Sequence, residues 1–285
     1  MSEGVHEQAA RLDALTTREV LQLMQAEDRR AVDAVAMHVD EIATAVEAIA
    51  ARLRAGGTLH YFGAGTSGRL AELDAIETGP TFGVDLVRAH AAGDGAAEDD
   101  GDRGARDAEA AGLRAGDAVV GVSASGRTPY VVEAMKVAGA KAALVVTLSC
   151  AANAPLSRLA SIAIEIQTGP EVVAGSTRLK AGTVQKTVLN MISTGVFVRL
   201  GRTYRGRMVG VQPANAKLHR RAVALISDLA DASSADAERA LEAAEGNARV
   251  AILMLRCQLT PERATALLAE NDGDLAAALG ERAAL

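Results

Sequence analysis

Tryptophan is absent from the 285 residues, and phenylalanine and tyrosine together supply only 2% of them. That scarcity removes the stacking platforms on which single-stranded nucleic acids are held. A net charge of −6, with no basic stripe, argues further against a nucleic-acid partner. Cysteine is nearly missing: Cys150 and Cys257 are the two present, far apart and without a C-x-x-C. They read as reduced thiols rather than a disulfide framework, which predicts a cytoplasmic protein. The histidines His6, His38, His60, His90 and His219 have no ligand spacing with one another or with the cysteines, so no metal is expected. No apolar run reaches the length of a membrane span, and no charged-then-apolar leader pattern opens the chain. What remains is an α/β chain long enough to bury a full core.

What the chain does have is two turns rich in glycine and hydroxyls, each closing an apolar strand pattern. The first, Gly63-Ala64-Gly65-Thr66-Ser67-Gly68-Arg69, follows residues 58–62. The second, Ser123-Ala124-Ser125-Gly126-Arg127-Thr128-Pro129-Tyr130, follows residues 118–122. A helical pattern comes after each, so each gathers backbone N–H groups and hydroxyls at a helix N-terminus. There the first-turn N–H groups lack intrahelical partners and the dipole favours an anion. Two such turns in one sheet predict a small phosphorylated ligand at the carboxyl ends of the strands. The first turn also spells G-x-G-x-x-G, which admits a dinucleotide reading. Against that, the next strand pattern, 84–89, runs into Arg88 and His90 rather than a ribose-binding acid. Thr66, Ser67 and Arg69 are donors that suit a dianionic phosphomonoester. Two capped helices with exposed arginines are the bland alternative.

Helical periodicity covers 17–54, with Thr16 to Glu19 as its capping region, until Gly56-Gly57 stops it. Strand patterns at 58–62, 84–89, 118–122, 142–148 and 161–166 then alternate with helices near 67–78, 129–138 and 155–159. The alternation predicts a doubly wound parallel sheet of five strands with helices on both faces. Beyond Gly169-Pro170 the pattern is wholly helical, strongest over 176–200, with Ser176 and Thr177 as caps. Ala-rich helices follow Pro213 and end in a three-helix pattern (248–255, 261–268, 275–279) resembling a ubiquitin-associated fold. The stretch 94–107, with Asp94, Glu98, Asp99, Asp100 and Asp102, reads as a solvated acidic loop. The organisation expected is a helical lead-in over 1–56, a ligand-binding α/β domain over 57–212 and a small helical subdomain over 213–285.

The two turns gain specificity from a third segment, Gly169-Pro170-Glu171-Val172-Val173-Ala174-Gly175-Ser176-Thr177-Arg178-Leu179-Lys180-Ala181-Gly182-Thr183-Val184-Gln185-Lys186. Together they resemble the N-acetylmuramic acid 6-phosphate etherase family. The likeness continues through Val188-Leu189-Asn190-Met191-Ile192-Ser193-Thr194 and Asn215-Ala216-Lys217-Leu218, and reaches upstream to Leu12-Asp13 and Glu27-Asp28. The wider kinship is with sugar isomerase domains, here over 57–212.

The resemblance implies a lyase that needs no cofactor and takes a small phosphorylated amino sugar. The ring-opened sugar presents a C1 aldehyde that acidifies the C2 proton. A base removes that proton, an acid protonates the departing lactate oxygen at C3, and water then adds. By position the two catalytic carboxyls fall on Glu98, the base, and Glu77, the acid, a role that environment-tuned carboxyls can fill. The phosphate residues carry over as Thr66, Ser67, Ser123, Ser125 and Thr128, with Gly65, Lys180 and Lys217 as further substrate contacts. Glu171 and Arg178 are implied as residues that hold the entry of the long helix. The family implies a homodimer with its sites near the subunit interface, and the apolar stretch 184–200 could supply a buried helix for it.

Three differences stand out. The family's Glu-Cys-Pro-Pro-Thr is here Glu77-Thr78-Gly79-Pro80-Thr81, its opening Thr-Glu-x-x-Asn is Ser2-Glu3-Gly4-Val5-His6, and the stretch before Glu98 is several residues shorter. The shortening keeps open a second function, a phosphosugar-binding regulator without turnover. A phosphosugar isomerase would use the same cradle, but the long match over 169–186 argues against it.

Overall fold

The computed structural model describes residues 4–93, 95–210 and 215–281; Ser2, Glu3, Asp94 and Pro213, which figure above, lie outside the described residues. The chain divides into two compact units, Met1–Ile76 with Leu86–Gly195, and Glu77–Asp85 with Val196–Leu285.

In the first unit, helix α1 (Thr17–Val35) starts at a capping box. The Thr16 hydroxyl accepts from the Glu19 N–H at 3.4 Å, and the Glu19 carboxylate accepts from the Thr16 N–H at 2.7 Å. The single helical pattern of the sequence breaks at a 3₁₀ turn, Ala36–His38, before α2 (Val39–Arg54). Ile42, Ala45, Val46, Ile49 and Leu53 recur at helical spacing and form the buried face of α2.

The sheet comprises β1 (Leu59–Ala64), β2 (Val87–Ala92), β3 (Ala118–Ser123), β4 (Leu144–Ser149) and β5 (Ile162–Glu165). All neighbours are parallel, in the order β2-β1-β3-β4-β5. Every residue of β1 and β3 is buried, as strands covered on both faces require. The order reverses between β1 and β3, so the carboxyl ends of these two neighbours flank the crevice where open α/β sheets take their ligands. The five-stranded doubly wound sheet expected from the sequence is present, and helices α3 (Gly65–Phe82), α4 (Gly95–Glu98), α5 (Gly101–Ala110), α6 (Pro129–Ala140) and α7 (Lys180–Arg199) connect or follow its strands.

Three local expectations are corrected. Helix α3 continues through Pro80 to Phe82, and Gly83, at φ +66°, ends it; the second strand therefore begins at Val87, not near 84. The acidic stretch is not a loop but forms α4 and α5. Asp100 caps α5 by accepting from the Arg103 N–H at 2.8 Å, and Gly104 and Ala108 form its buried face. Finally, α7 begins at Lys180 rather than at Ser176. Its cap comes from Glu171, whose carboxylate accepts from the N–H groups of Lys180 (3.2 Å) and Ala181 (3.0 Å).

On the face of β1 and β2, His60 Nδ1 lies 3.1 Å from His90 Nε2, and His90 stacks on Phe62. Burial first, and then the charge of the second imidazole, push His60 from 6.5 down to about 4, Arg88 and Arg114 adding to the shift and Asp117 opposing it. The unfolded chain then holds a proton that the folded one refuses between about pH 6.5 and 4. Stability should fall as the pH drops through that window and level off below it, by up to about 3 kcal/mol. Denaturant titrations across the window would reveal the slope, and His60→Phe should reduce it, leaving the part that His90, also held down by burial, contributes.

The second unit holds a short hairpin, β6 (Thr203–Tyr204) and β7 (Arg207–Met208), and helices α8 (Ala216–Ala230), α9 (Ser234–Ala243), α10 (Ala248–Cys257), α11 (Pro261–Glu270) and α12 (Leu275–Ala278). Side chains of Asn215, Ser233, Asn247, Thr260 and Asp274 each cap the helix that follows. Ile226, Leu241, Ile252, Leu253, Leu268 and Leu275 form its core. No helix among the described residues is long and apolar enough to cross a membrane.

Candidate phosphate-binding site

Strand β1 passes into α3 without a linker, because Gly65 turns the chain at φ +54°. The first-turn N–H groups of α3, which lack intrahelical partners, therefore open at the carboxyl end of β1. Gly63 and Gly68 make this direct entry fit: a Cβ on Gly63 would lie 2.8 Å from the Gly68 nitrogen. Ser67 is buried, and its hydroxyl donates to Gln185 Oε1 of α7 at 3.0 Å. Thr66 is half-buried and lies beside Gly182, also of α7.

The single turn of α4 leads away from β2, the neighbour of β1, and carries Glu98 at its end. There a Glu98 carboxylate oxygen fills the space that a side chain on Gly65 would need. The shortened stretch before it thus still delivers this carboxylate to the first turn, half-exposed.

At the end of β3 the second turn is braced from within. The Ser123 hydroxyl accepts from the Gly126 N–H at 3.0 Å and shares a 2.8 Å hydrogen bond with the Thr128 hydroxyl. Ser125 accepts from the Arg127 N–H at 3.2 Å and is half-exposed, as is Thr128, immediately before Pro129 opens α6. Ser123 itself is buried. Gly65, Thr66, Ser67, Glu98, Ser123, Ser125 and Thr128 therefore gather around the ends of two adjacent strands.

Of the three other candidates, Lys180 belongs to the first unit and Glu77 and Lys217 to the second. Lys180 is buried, and its ammonium is bonded to Glu27 of α1. Glu27 also takes Arg30 at 2.7 Å, with His6 at 3.6 Å. Burial raises the Glu27 carboxyl, but the hydrogen bonds and charges of Lys180 and Arg30 outweigh it and hold the group below its ordinary value. Beside it, burial pushes Glu171 up, despite its two backbone donors and the Lys180 charge, with Asp28 adding to the rise. Lys217 is exposed in the first turn of α8. Glu77 is exposed on α3.

Sequence reasoning passed over the polar contacts between α3 and α7. Besides Ser67–Gln185, Lys186 donates to Asp74 at 2.7 Å and to Asn190 at 2.6 Å, and Asp74 accepts from the Tyr61 hydroxyl at 3.2 Å. The available signal was polar residues set within an otherwise apolar helical pattern. Chemically, the crevice sets a helix start suited to an anion beside a carboxylate.

The SIS domain family model matches residues 97–194. Across almost the whole chain, the sequence is 45% identical to an N-acetylmuramic acid 6-phosphate etherase of Geobacillus thermodenitrificans, covering 98% of each chain. It is 46% identical to the etherase of Rubrobacter xylanophilus, over 96% of this chain and 93% of the relative. Among solved structures, a phosphoheptose isomerase from Neisseria gonorrhoeae superposes with a TM-score of 0.51 at 21% identity, over 64% of this chain and 98% of its own. A phosphoheptose isomerase from Francisella tularensis does so with a TM-score of 0.52 at 16% identity, over 65% of this chain and 100% of its own. At such identities the structural likeness speaks for the fold alone.

Proposed function

The chain belongs to the N-acetylmuramic acid 6-phosphate etherase family, and from that premise we propose that it cleaves the lactyl ether of N-acetylmuramic acid 6-phosphate, yielding N-acetylglucosamine 6-phosphate and D-lactate. The observation that carries the reading is the seat of Glu98 against Gly65, at the start of the anion-binding helix. The N–H groups of that turn, with Thr66, Ser67, Ser125 and Thr128, hold the 6-phosphate, while Ser123 braces the second turn. Anchored there, the opened sugar presents its C2 proton to Glu98. Loss of that proton gives an enolate, and the lactate oxygen departs from C3 as an acid protonates it. Water adds to the unsaturated aldehyde to complete the reaction.

Glu77 is the acid in this scheme, and a second copy of the chain supplies it. The observation that supports this is the exposed apolar pair Leu73 and Ile76 of α3, 46% and 68% exposed. Such a pair is suited to burial in a homodimer.

Purified protein incubated with N-acetylmuramic acid 6-phosphate should release D-lactate in step with substrate loss. Binding of the phosphosugar without lactate would instead favour the regulator. In parallel, millimolar N-acetylglucosamine 6-phosphate should raise the thermal midpoint, since a ligand at about 100 times its Kd adds about 2.7 kcal/mol to the native state. NAD and NADP should leave the midpoint where it is; a shift with a dinucleotide alone would reverse the assignment of the first turn.

A further inference from the structure

Gln185 is fully buried, yet its side-chain nitrogen has no hydrogen-bond partner among the described residues. Its oxygen accepts the only proton that the Ser67 hydroxyl can give. In this arrangement Ser67 has nothing to donate to an anion, and two amide N–H bonds lie buried without an acceptor. Orphaned buried donors are rarer than under-satisfied carbonyls. Half a turn of the amide eases both difficulties: the nitrogen then donates one N–H to Ser67 Oγ, and the Ser67 proton is released to the helix start.

We infer that Gln185 is a positioning residue that sets the direction of the Ser67 hydroxyl, holding it through the amide nitrogen when the phosphate of the ligand is bound. With its nitrogen on Ser67 Oγ, Gln185 leaves the Ser67 proton free to donate to a phosphate oxygen. The inference rests on the reading of Ser67 as a phosphate ligand.

A double-mutant cycle on N-acetylglucosamine 6-phosphate binding tests it, with Ser67→Ala and Gln185→Glu alone and combined. A carboxylate at position 185 only accepts, so it would hold the Ser67 proton permanently. Ser67→Ala should cost about tenfold to a hundredfold in Kd in the wild-type background, the value of a hydrogen bond to a charged acceptor. In the Gln185→Glu background the same change should cost almost nothing. An equal cost in both backgrounds would mean that the carboxylate acts by charge alone and would overturn the inference. No cost in the wild-type background would instead remove Ser67 from the phosphate site, and with it the premise.

A second readout does not depend on that variant folding. In side-chain amide NMR of the wild-type protein, the Gln185 signal is assigned by its loss in Gln185→Met. Saturation with the phosphosugar should shift one of its two protons downfield and slow its exchange. An unmoved signal would also overturn the inference.

Discussion

Two inactive variants, mixed, should recover activity. Glu98→Gln removes the base, so neither lactate release nor exchange of the C2 proton with deuterated water should survive, each falling at least about 100-fold. Glu77→Gln should block lactate release to a similar extent while C2 exchange continues, because the enolate still forms when the leaving oxygen is not protonated. If one site takes Glu98 from one chain and Glu77 from the other, a heterodimer of the two variants contains one intact pair. Equal mixing after subunit exchange should then restore about a quarter of the wild-type rate. No recovery, with heterodimers present in the mixture, would put both glutamates on one chain. Exchange that persists undiminished in Glu98→Gln would remove that residue from the base role and make Asp99 or Asp100 the next to test.

The second large effect concerns stability. Lys180→Met keeps the volume of the side chain but deletes the ammonium that Glu27 and Glu171 face from α1 and from the entry to α7. The side chains of Lys180 and Glu27 are only 4% and 8% exposed. Removing one partner of such a pair leaves an uncompensated buried charge and costs about 3–5 kcal/mol. The thermal midpoint should fall by roughly 10 °C. Replacing Glu27 by Leu in the same protein should recover much of the loss, since a buried pair exchanged whole for apolar groups is often neutral. A midpoint within a degree of wild type for Lys180→Met would mean that water already reaches the pair.

Both turns of the candidate site were legible in the sequence because a fully buried parallel strand is a short apolar run, and glycine and hydroxyl residues bound it sharply. The position of β2 was less legible: Val84 and Leu86 continue the apolar alternation, and what excludes them from the strand is the extension of α3 to Phe82 and the left-handed turn at Gly83. Helix α5 was hidden by its composition, since its buried face is made of Gly104 and Ala108 and shows little contrast with the charged residues around it. Local pattern also has no access to partners far away in the chain. Glu171 caps a helix that starts nine residues later, and Ser67 meets Gln185 at a separation of 118 residues. Glu98 was found by resemblance; composition alone placed it in a loop.

Gly65 has a consequence for how this crevice should be surveyed. An alanine scan measures what is lost when atoms are taken away, and a glycine has none to give. Here the missing methyl is itself the vacancy into which Glu98 reaches. The informative experiment adds atoms: Gly65→Ala should displace the carboxylate and leave the untouched Glu98 without its place, so the loss expected for the proposed base would arise from a residue with no side chain of its own. A substitution at position 65 is therefore a probe of the proposed proton-abstracting step that leaves Glu98 itself unaltered.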